Sequence, residues 1–386
     1  MARNRAIMWL SLTHHLPAMD TSLRSRLSQI WFAVQNALFP EIEAQLGQAL
    51  TPKLEQLIRI LELARVEEHV ASSWGAVGRP PRDRVALARA FVAKAVLDLP
   101  TTEALIDRLS NDTSLKRLCG FALNKKLPNA ATFSRAFDEF ASAGLPERVH
   151  TAMIDSHLGE QIVGHLNRDS TEIEARERPA VKPAPVLKPA KRRGRPKKGE
   201  SRPKEPTRIE RQLQMNELSE MIADLPRACD VGTKRDSQGH QHSWVGYKLH
   251  WDVADGGIPI AAILTSASVH DSQAFIPLAK MSAERVTSLY DVADSAYCSP
   301  LLREFSRELD HVPLIDHNPR RGEKIAFAPH EAERFKERST VERANARLKD
   351  EFGARHVRVR GATKVMAHLM FGVLALTADQ LLRWVT

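Results

Sequence analysis

Trp244-Val-Gly-Tyr-Lys-Leu-His-Trp-Asp-Val253 is the stretch from which the fold class is read. Val245, Tyr247, Leu249, Trp251 and Val253 alternate with Trp244, Gly246, Lys248, His250 and Asp252, the period-two pattern of a strand with one apolar face. Asp255-Gly-Gly257 follows as a hairpin signal, and 258–269 as the returning strand. Downstream, 271–280 predicts a helix capped by Asp271, 287–294 a short apolar strand, 300–309 a helix and 311–316 another strand. A long helix is predicted over about 330–352 and a final apolar helix over 364–385. Upstream, 161–171 reads as a strand ending in Asp169-Ser-Thr171. A strand, a hairpin and then strands alternating with helices predict a mixed α/β sheet covered by helices.

Before residue 159 the period is helical. Leu54, Leu57, Ile58, Ile60, Leu61, Leu63 and Ala64 recur at helix spacing, with Pro52 where a first turn tolerates it. Gly/Pro punctuation at 75–81 ends that unit. Short amphipathic helices follow at 84–97, 101–109 and 129–143, with Thr101 and Asn129 as caps. Such helices suit docking on DNA, and they are equally what small all-α domains look like.

The charge balance picks out a third region. The 386 residues carry 56 Lys+Arg against 47 Asp+Glu, a net charge of +9. Residues 176–208 hold 13 Lys/Arg and three Glu, a local +10, so the rest of the chain nets about −1. Seven of the 22 prolines lie in the same segment, which predicts an extended, solvated linker. Within it, Lys191-Arg-Arg-Gly-Arg-Pro-Lys-Lys198 resembles an AT-hook. There the glycine lets the backbone lie deep in a narrow minor groove while the flanking arginines follow its negative potential. Lys191, Arg193, Arg195 and Lys197 are therefore candidate DNA contacts; the plainer reading is a basic spacer that touches any polyanion. Cys119, Cys229 and Cys298 form no CxxC pair, which excludes a disulfide framework and fits a reducing, cytoplasmic compartment. The uncharged run 365–378 is too short to span a bilayer and predicts a buried helix, and residues 1–16 lack the pattern of a signal peptide.

Arg338, Glu342, Asn345 and Lys349 stand at i, i+4, i+7 and i+11 on the long helix, one polar stripe flanked by Val341, Leu348 and Phe352. Alone, this is an ordinary Arg–Glu helix pair. Asp169 and Asp294, each ending a strand, change the reading, because carboxylates at the ends of buried strands are costly unless paired or metal-bound. Three carboxylates without Cys or His suit Mg²⁺ or Mn²⁺. Asp291, three residues from Asp294, belongs to the opposite strand face. In His270-Asp271 a cap is preferred to a ligand pair, Asp155 lacks the Ser-Thr context, and His240, His242 and Cys229 make no zinc spacing.

Asp169-Ser-Thr-Glu-Ile173, Ala293-Asp-Ser-Ala-Tyr297 and Arg338-Ser-Thr-Val-Glu342-Arg-Ala-Asn-Ala-Arg-Leu-Lys349 resemble, in order, three motifs of bacterial insertion-sequence transposases of the DDE class. The last resembles that class's Y-(2)-R-(3)-E-(6)-K helix, with Phe335 in the Tyr place. The resemblance extends over nearly the whole chain from about residue 45, including a helical region, especially 105–140, like the one that precedes the catalytic core. It implies a ribonuclease-H-like mixed sheet flanked by helices over 159–386. An all-α domain, 1–158, precedes it and binds DNA ends, and a disordered basic linker, 176–226, interrupts it. It further implies Asp169, Asp294 and Glu342 as the catalytic and metal-binding triad for Mg²⁺ or Mn²⁺, two ions. Arg338, Asn345 and Lys349 would be DNA contacts. The implied partners are double-stranded DNA, as terminal inverted repeats and target, and a second copy of the chain on DNA, with no membrane, in the bacterial cytoplasm at the nucleoid. Phe335 keeps a ring but lacks the hydroxyl. The alternatives are a catalytically silent DNA-binding relative and a metal-dependent nuclease without strand transfer.

Overall fold

The computed structural model describes residues 21–47, 49–71, 83–181, 205–235, 238–319 and 323–384. The AT-hook-like run, with Lys191, Arg193, Arg195 and Lys197, and the 75–81 punctuation lie outside the described residues.

Among the described residues of 21–158 the regular elements are all helices. α1 (Thr21–Ala33) continues through a π-helical turn into α2 (Phe39–Leu46), and α3 (Pro52–Ala64) is capped by the Thr51 hydroxyl. α4 (Arg84–Val96), α5 (Thr102–Asn111), α6 (Thr113–Leu118), α7 (Ala130–Ser142) and α8 (Leu145–Leu158) follow. Thr101 and Asn129 accept from the third backbone N–H beyond them, the caps the sequence predicts.

The sheet begins with β1 (Ile162–Glu174). After the basic segment come α9 (Arg208–Gln212), α10 (Leu218–Ala223), β2 (Asp230–Arg235), β3 (Gln241–Ala254) and β4 (Ile258–Ser266). α11 (Phe275–Ala283), β5 (Thr287–Ala293), α12 (Pro300–Glu308) and β6 (Val312–Ile315) lead to α13 (Pro329–Phe335), α14 (Ser339–Glu351) and α15 (Ala362–Arg383). The hairpin between β3 and β4 turns at Gly256 and Gly257, whose φ of +74° and +76° favour glycine. β1 lies between β3, antiparallel to it, and β5, parallel to it; β6 adds in parallel beyond β5, while β2 and β4 pair with β3. This six-stranded mixed sheet flanked by helices is the expected class.

Pleating divides β1 between two layers. Arg168 faces α11, its guanidinium 4.0 Å from the centre of the Phe275 ring. There Asp252, opposite Arg168 in register, accepts from it at 2.7 Å and from Ser282 at 2.7 Å, while Asp291 accepts from Ser306 at 2.6 Å and stands 3.5 Å from Arg168. Asp291 is thus spent in a buried network away from the Asp294 side, as the pleat predicts. The other face, with Trp251 and Val253, packs on α14 and α15. α15 is apolar on every side through its middle, 369–378, because it is covered there by α3, α4, α7 and α8 on one side and β4 on the other, and its charged residues lie towards its ends. Of the described helices it is long and apolar enough to cross a membrane, yet it lies inside the protein. Phe91 and Phe371, 5.9 Å apart, join helical region and sheet in one core; truncating such a ring to alanine costs about 3–5 kcal/mol.

Three local expectations need correction. The 176–226 linker is not unstructured throughout, since Thr207 and Glu210 form a capping box and Ile209, Met215 and Met221 dock α9 and α10 beside Phe275. The long 330–352 helix is broken: a 3₁₀ turn, Lys336–Arg338, seated on β1 and β5, separates α13 from α14. Asp271 is not the cap; His270 holds that position, and Asp271 pairs with Lys248.

Candidate active site

Asp169 does not end its strand as expected, because pairing with β3 continues to Glu174; it stands within β1 opposite Trp251, while Asp294 follows β5 by one residue, where its carboxylate accepts from the Ala296 N–H at 2.9 Å. β1 and β5 are parallel neighbours, so both acids emerge at the same sheet end, towards α14. The 3₁₀ turn sets Arg338 beside them. Its guanidinium stands 3.7 Å from Asp294 Oδ2 and donates to Glu342 Oε1 at 2.6 Å. Asn345, one turn further, donates from Nδ2 to Asp169 Oδ2 at 2.9 Å and accepts from Trp251 Nε1 at 2.9 Å.

The electrostatics follow from this placement. Burial pushes Asp169 up to about 6, aided by the charge of Asp294 and opposed by the Ser170 N–H and Arg338. Burial also raises Asp294, against the Ala296 N–H and Arg338. Burial alone would weaken Arg338 as a base, but the charges of Asp169, Asp294 and Glu342 outweigh it. The guanidinium is the cation around which the three acids gather. Among the described residues no three carboxylate, imidazole or thiol groups are grouped to hold a metal ion. The donor chemistry nevertheless fits a hard divalent cation: oxygen ligands only, two of them carboxylates that burial raises, a cost that added positive charge would offset.

The remaining candidates divide. Lys349 is half-buried, 3.9 Å from Glu172, with its ammonium disfavoured by burial. Asn345 turns both ends of its amide inward, so its contacts are with the site and not with the outside. Phe335 packs its ring on Phe327, centroids 4.8 Å apart.

Sequence reasoning missed four neighbours. Trp251, fully buried, fixes Asn345, and its signal is its place opposite Asp169 once the strands are paired. Asp271 is electrostatically coupled to Asp169 and Asp294 from the other side of the sheet, where Lys248 holds it at 2.9 Å. Tyr297 is buried with no hydrogen-bond partner for its hydroxyl among the described residues; burial and the charges of Asp271, Asp169 and Asp294 keep it protonated. Lys234 on β2 acts through space on both Asp294 and Lys349.

Two family models match the chain. One, described as Transposase DDE domain, covers residues 169–378, opening on Asp169 and including Asp294 and Glu342; the other, Transposase domain (DUF772), covers 42–139. The chain belongs to the Transposase DDE domain family. No curated protein matches it, and no solved structure does.

Proposed function

We propose that this chain is a DNA transposase that cuts the ends of its element and joins them to target DNA, with Asp169, Asp294 and Glu342 holding two Mg²⁺ or Mn²⁺ ions. The observation that carries the reading is the gathering of these acids, from two parallel strands and a helix, around Arg338. Bound ions supply charge neutralisation at the phosphorus and a deprotonated oxygen nucleophile for in-line displacement.

The chain's own residues do the rest. Asn345 and Trp251 hold Asp169 in one orientation. The Ala296 N–H does the same for Asp294. Arg338 balances the acids in the free protein and would be the residue that pairs with a DNA phosphate at the site. Lys349 and Lys234 form the basic rim along which a strand approaches. Phe335, joined to Phe327, closes the side of the site by packing and offers no hydroxyl to DNA. In the same reading the 1–158 helices bind the element end, the basic segment with Lys191, Arg193, Arg195 and Lys197 holds flanking duplex, and two copies assemble on paired ends.

The test is Mg²⁺- or Mn²⁺-dependent cleavage of a duplex carrying the terminal repeats that flank this reading frame. Asp294→Asn and Glu342→Gln each lower cleavage by at least ~100-fold, the upper end of what even a supporting group around a metal costs. Cleavage unchanged by either substitution refutes the triad. Phe335 favours a second reading, a silent DNA-binding relative, which metal-independent binding with no nicking of any end would establish. A nuclease without strand transfer is excluded by joined products.

A further inference from the structure

A cleft of about 430 Å³ opens between α4, α5, α7 and the segment that leads into α15. Its wall carries Lys94, Arg176, Arg358, Arg360 and Lys364 against the single acid Glu103. Lys94 is the unusual member. It is 8% exposed in the apolar C-terminal half of α4, beyond Arg84 and Arg89, and its ammonium has no hydrogen-bond partner among the described residues; Asp98 acts on it only through space. A largely desolvated ammonium without an ion-pair contact costs free energy that a methionine of similar length would avoid. Burial brings it down to about 8, so it is still largely charged at neutral pH.

The rest of the cleft has the same polarity. The first residues of α5 and α7 line it, so the positive ends of two helix dipoles lie at its wall. Arg358 and Arg360 are exposed at its mouth, and Lys364 is held by Asp138 at 3.0 Å. His368, on the floor, is neutral and accepts no role in charge: burial takes it down to about 3, and its Nε2 is bonded to the Gly353 carbonyl. Arg176, whose carbonyl accepts from Arg360 Nε at 3.1 Å, is where the chain leaves the sheet for the basic segment.

We propose that this cleft is a phosphodiester site that seats the backbone of duplex DNA, with Lys94 as the recessed contact and Arg358 and Arg360 as the rim. The occupant is a DNA strand, because Arg176 in the cleft wall is, in sequence, the first residue of the basic 176–208 stretch, and a duplex backbone offers phosphates at a regular repeat. Arg176 lies seven residues along the chain from Asp169, at most about 23 Å at strand rise. At 3.4 Å per nucleotide step a phosphate at Arg176 would fall within about seven base pairs of the proposed cutting site. The proposal deepens the transposase reading, since it identifies where the flank of the cut end is gripped.

Binding of a short labelled duplex to the full-length chain, measured by fluorescence anisotropy in EDTA across a salt titration, tests it. Lys94→Met lowers affinity regardless of sequence and reduces the slope of log K against log salt by about 1, and Arg358→Gln with Arg360→Gln reduces it by about 2. Without DNA, Lys94→Met melts no lower than the native chain, because it removes an uncompensated charge. Native affinity and slope in both variants overturn the proposal. A lowered melting temperature for Lys94→Met with unchanged binding in the rim double variant also overturns it, making Lys94 a structural partner of Asp98. If inorganic phosphate at fixed ionic strength displaces DNA from the native chain but not from Lys94→Met, the cleft is a free-anion site, and the DNA assignment is lost. Because EDTA removes cleavage from the assay, failure here leaves the triad untouched, and a chain that never cuts can still show Lys94-dependent binding.

Discussion

Asn345 separates two roles that the sequence merges. Asn345→Asp keeps the side chain's shape but replaces the Nδ2 donor, 2.9 Å from Asp169 Oδ2, with a carboxylate oxygen. At that distance two unit charges repel by about 6 kcal/mol at an effective dielectric constant of ~20, which is roughly four pKa units. Asp169 is already raised to about 6 by burial and by Asp294, so the new pair must share a proton at neutral pH. Asp169 is then no longer a full negative charge, and metal-dependent cleavage falls by at least ~100-fold. Asn345→Ala is milder. It removes one hydrogen bond to a charged group, about 1.5–3 kcal/mol, or roughly 10- to 150-fold if all of it appears in cleavage. The assay pairs cleavage of the end-bearing duplex with DNA affinity in EDTA. Affinity should be unchanged in both variants, since neither end of the Asn345 amide faces outward. Cleavage by Asn345→Asp within a few-fold of native refutes the positioning role. Loss of metal-free DNA affinity with cleavage retained at saturating DNA would instead restore Asn345 as a DNA contact.

Acid should unfold the chain through its buried histidines. Burial holds His150 and His368 neutral down to about 3 and His250 down to about 4, whereas in the unfolded chain each titrates near 6.5. The stability tied to these depressed values is complete above pH 6.5 and is lost as pH falls from there towards 3–4. At pH 5 the loss is about 2 kcal/mol per histidine, and Asp169, whose raised value works the other way, offsets roughly 1 kcal/mol of the sum. Urea midpoints that stay level between pH 7 and pH 5 refute this account. Deleting 191–198 should lower affinity for A·T-rich or nonspecific duplex and flatten its salt dependence while sparing the cutting step; unchanged affinity removes the segment from DNA binding.

The parts of the fold that periodicity can express were legible. The 244–253 alternation, the Gly256-Gly257 turn and the capped helices at 84, 102 and 130 are local, and the observed elements fall within a few residues of them. What escaped depends on tertiary partners. Nothing in 330–352 is a helix breaker, yet the chain tightens at Lys336–Arg338 because that turn rests on the ends of β1 and β5. α9 and α10 are short and sit beside a proline-rich run, so their docking on Phe275 outweighs a composition that reads as linker. Asp271 looked like a cap because caps are local, whereas its partner Lys248 lies across a hairpin. In the candidate site, the three acids proposed as its ligands stand out in sequence through their motifs. The inward turn of Asn345 was not, since it requires Trp251 to stand opposite Asp169.

The same tertiary logic explains how the helix that carries Glu342 and Asn345 is kept in place. α14 has an apolar side, but its position along that side is set by Arg347, which donates to Glu351 on its own helix and to Asp379 of α15 at 2.7 Å and to Gln380 at 2.7 Å. Burial would raise Asp379, but hydrogen bonds from Arg347, from Gln56 of α3 at 2.8 Å and from Arg383 outweigh it and hold the carboxyl below its ordinary value. Asp379 is therefore a charged, largely desolvated joint between α3, α14 and α15, and such a joint tolerates little displacement because each partner lost leaves charge uncompensated. One buried carboxylate thus relates the helical region, with its cationic cleft, to the helix that closes the acid site. The cleft proposed to seat DNA and the geometry at Asp169, Asp294 and Glu342 therefore belong to a single packed unit around α15.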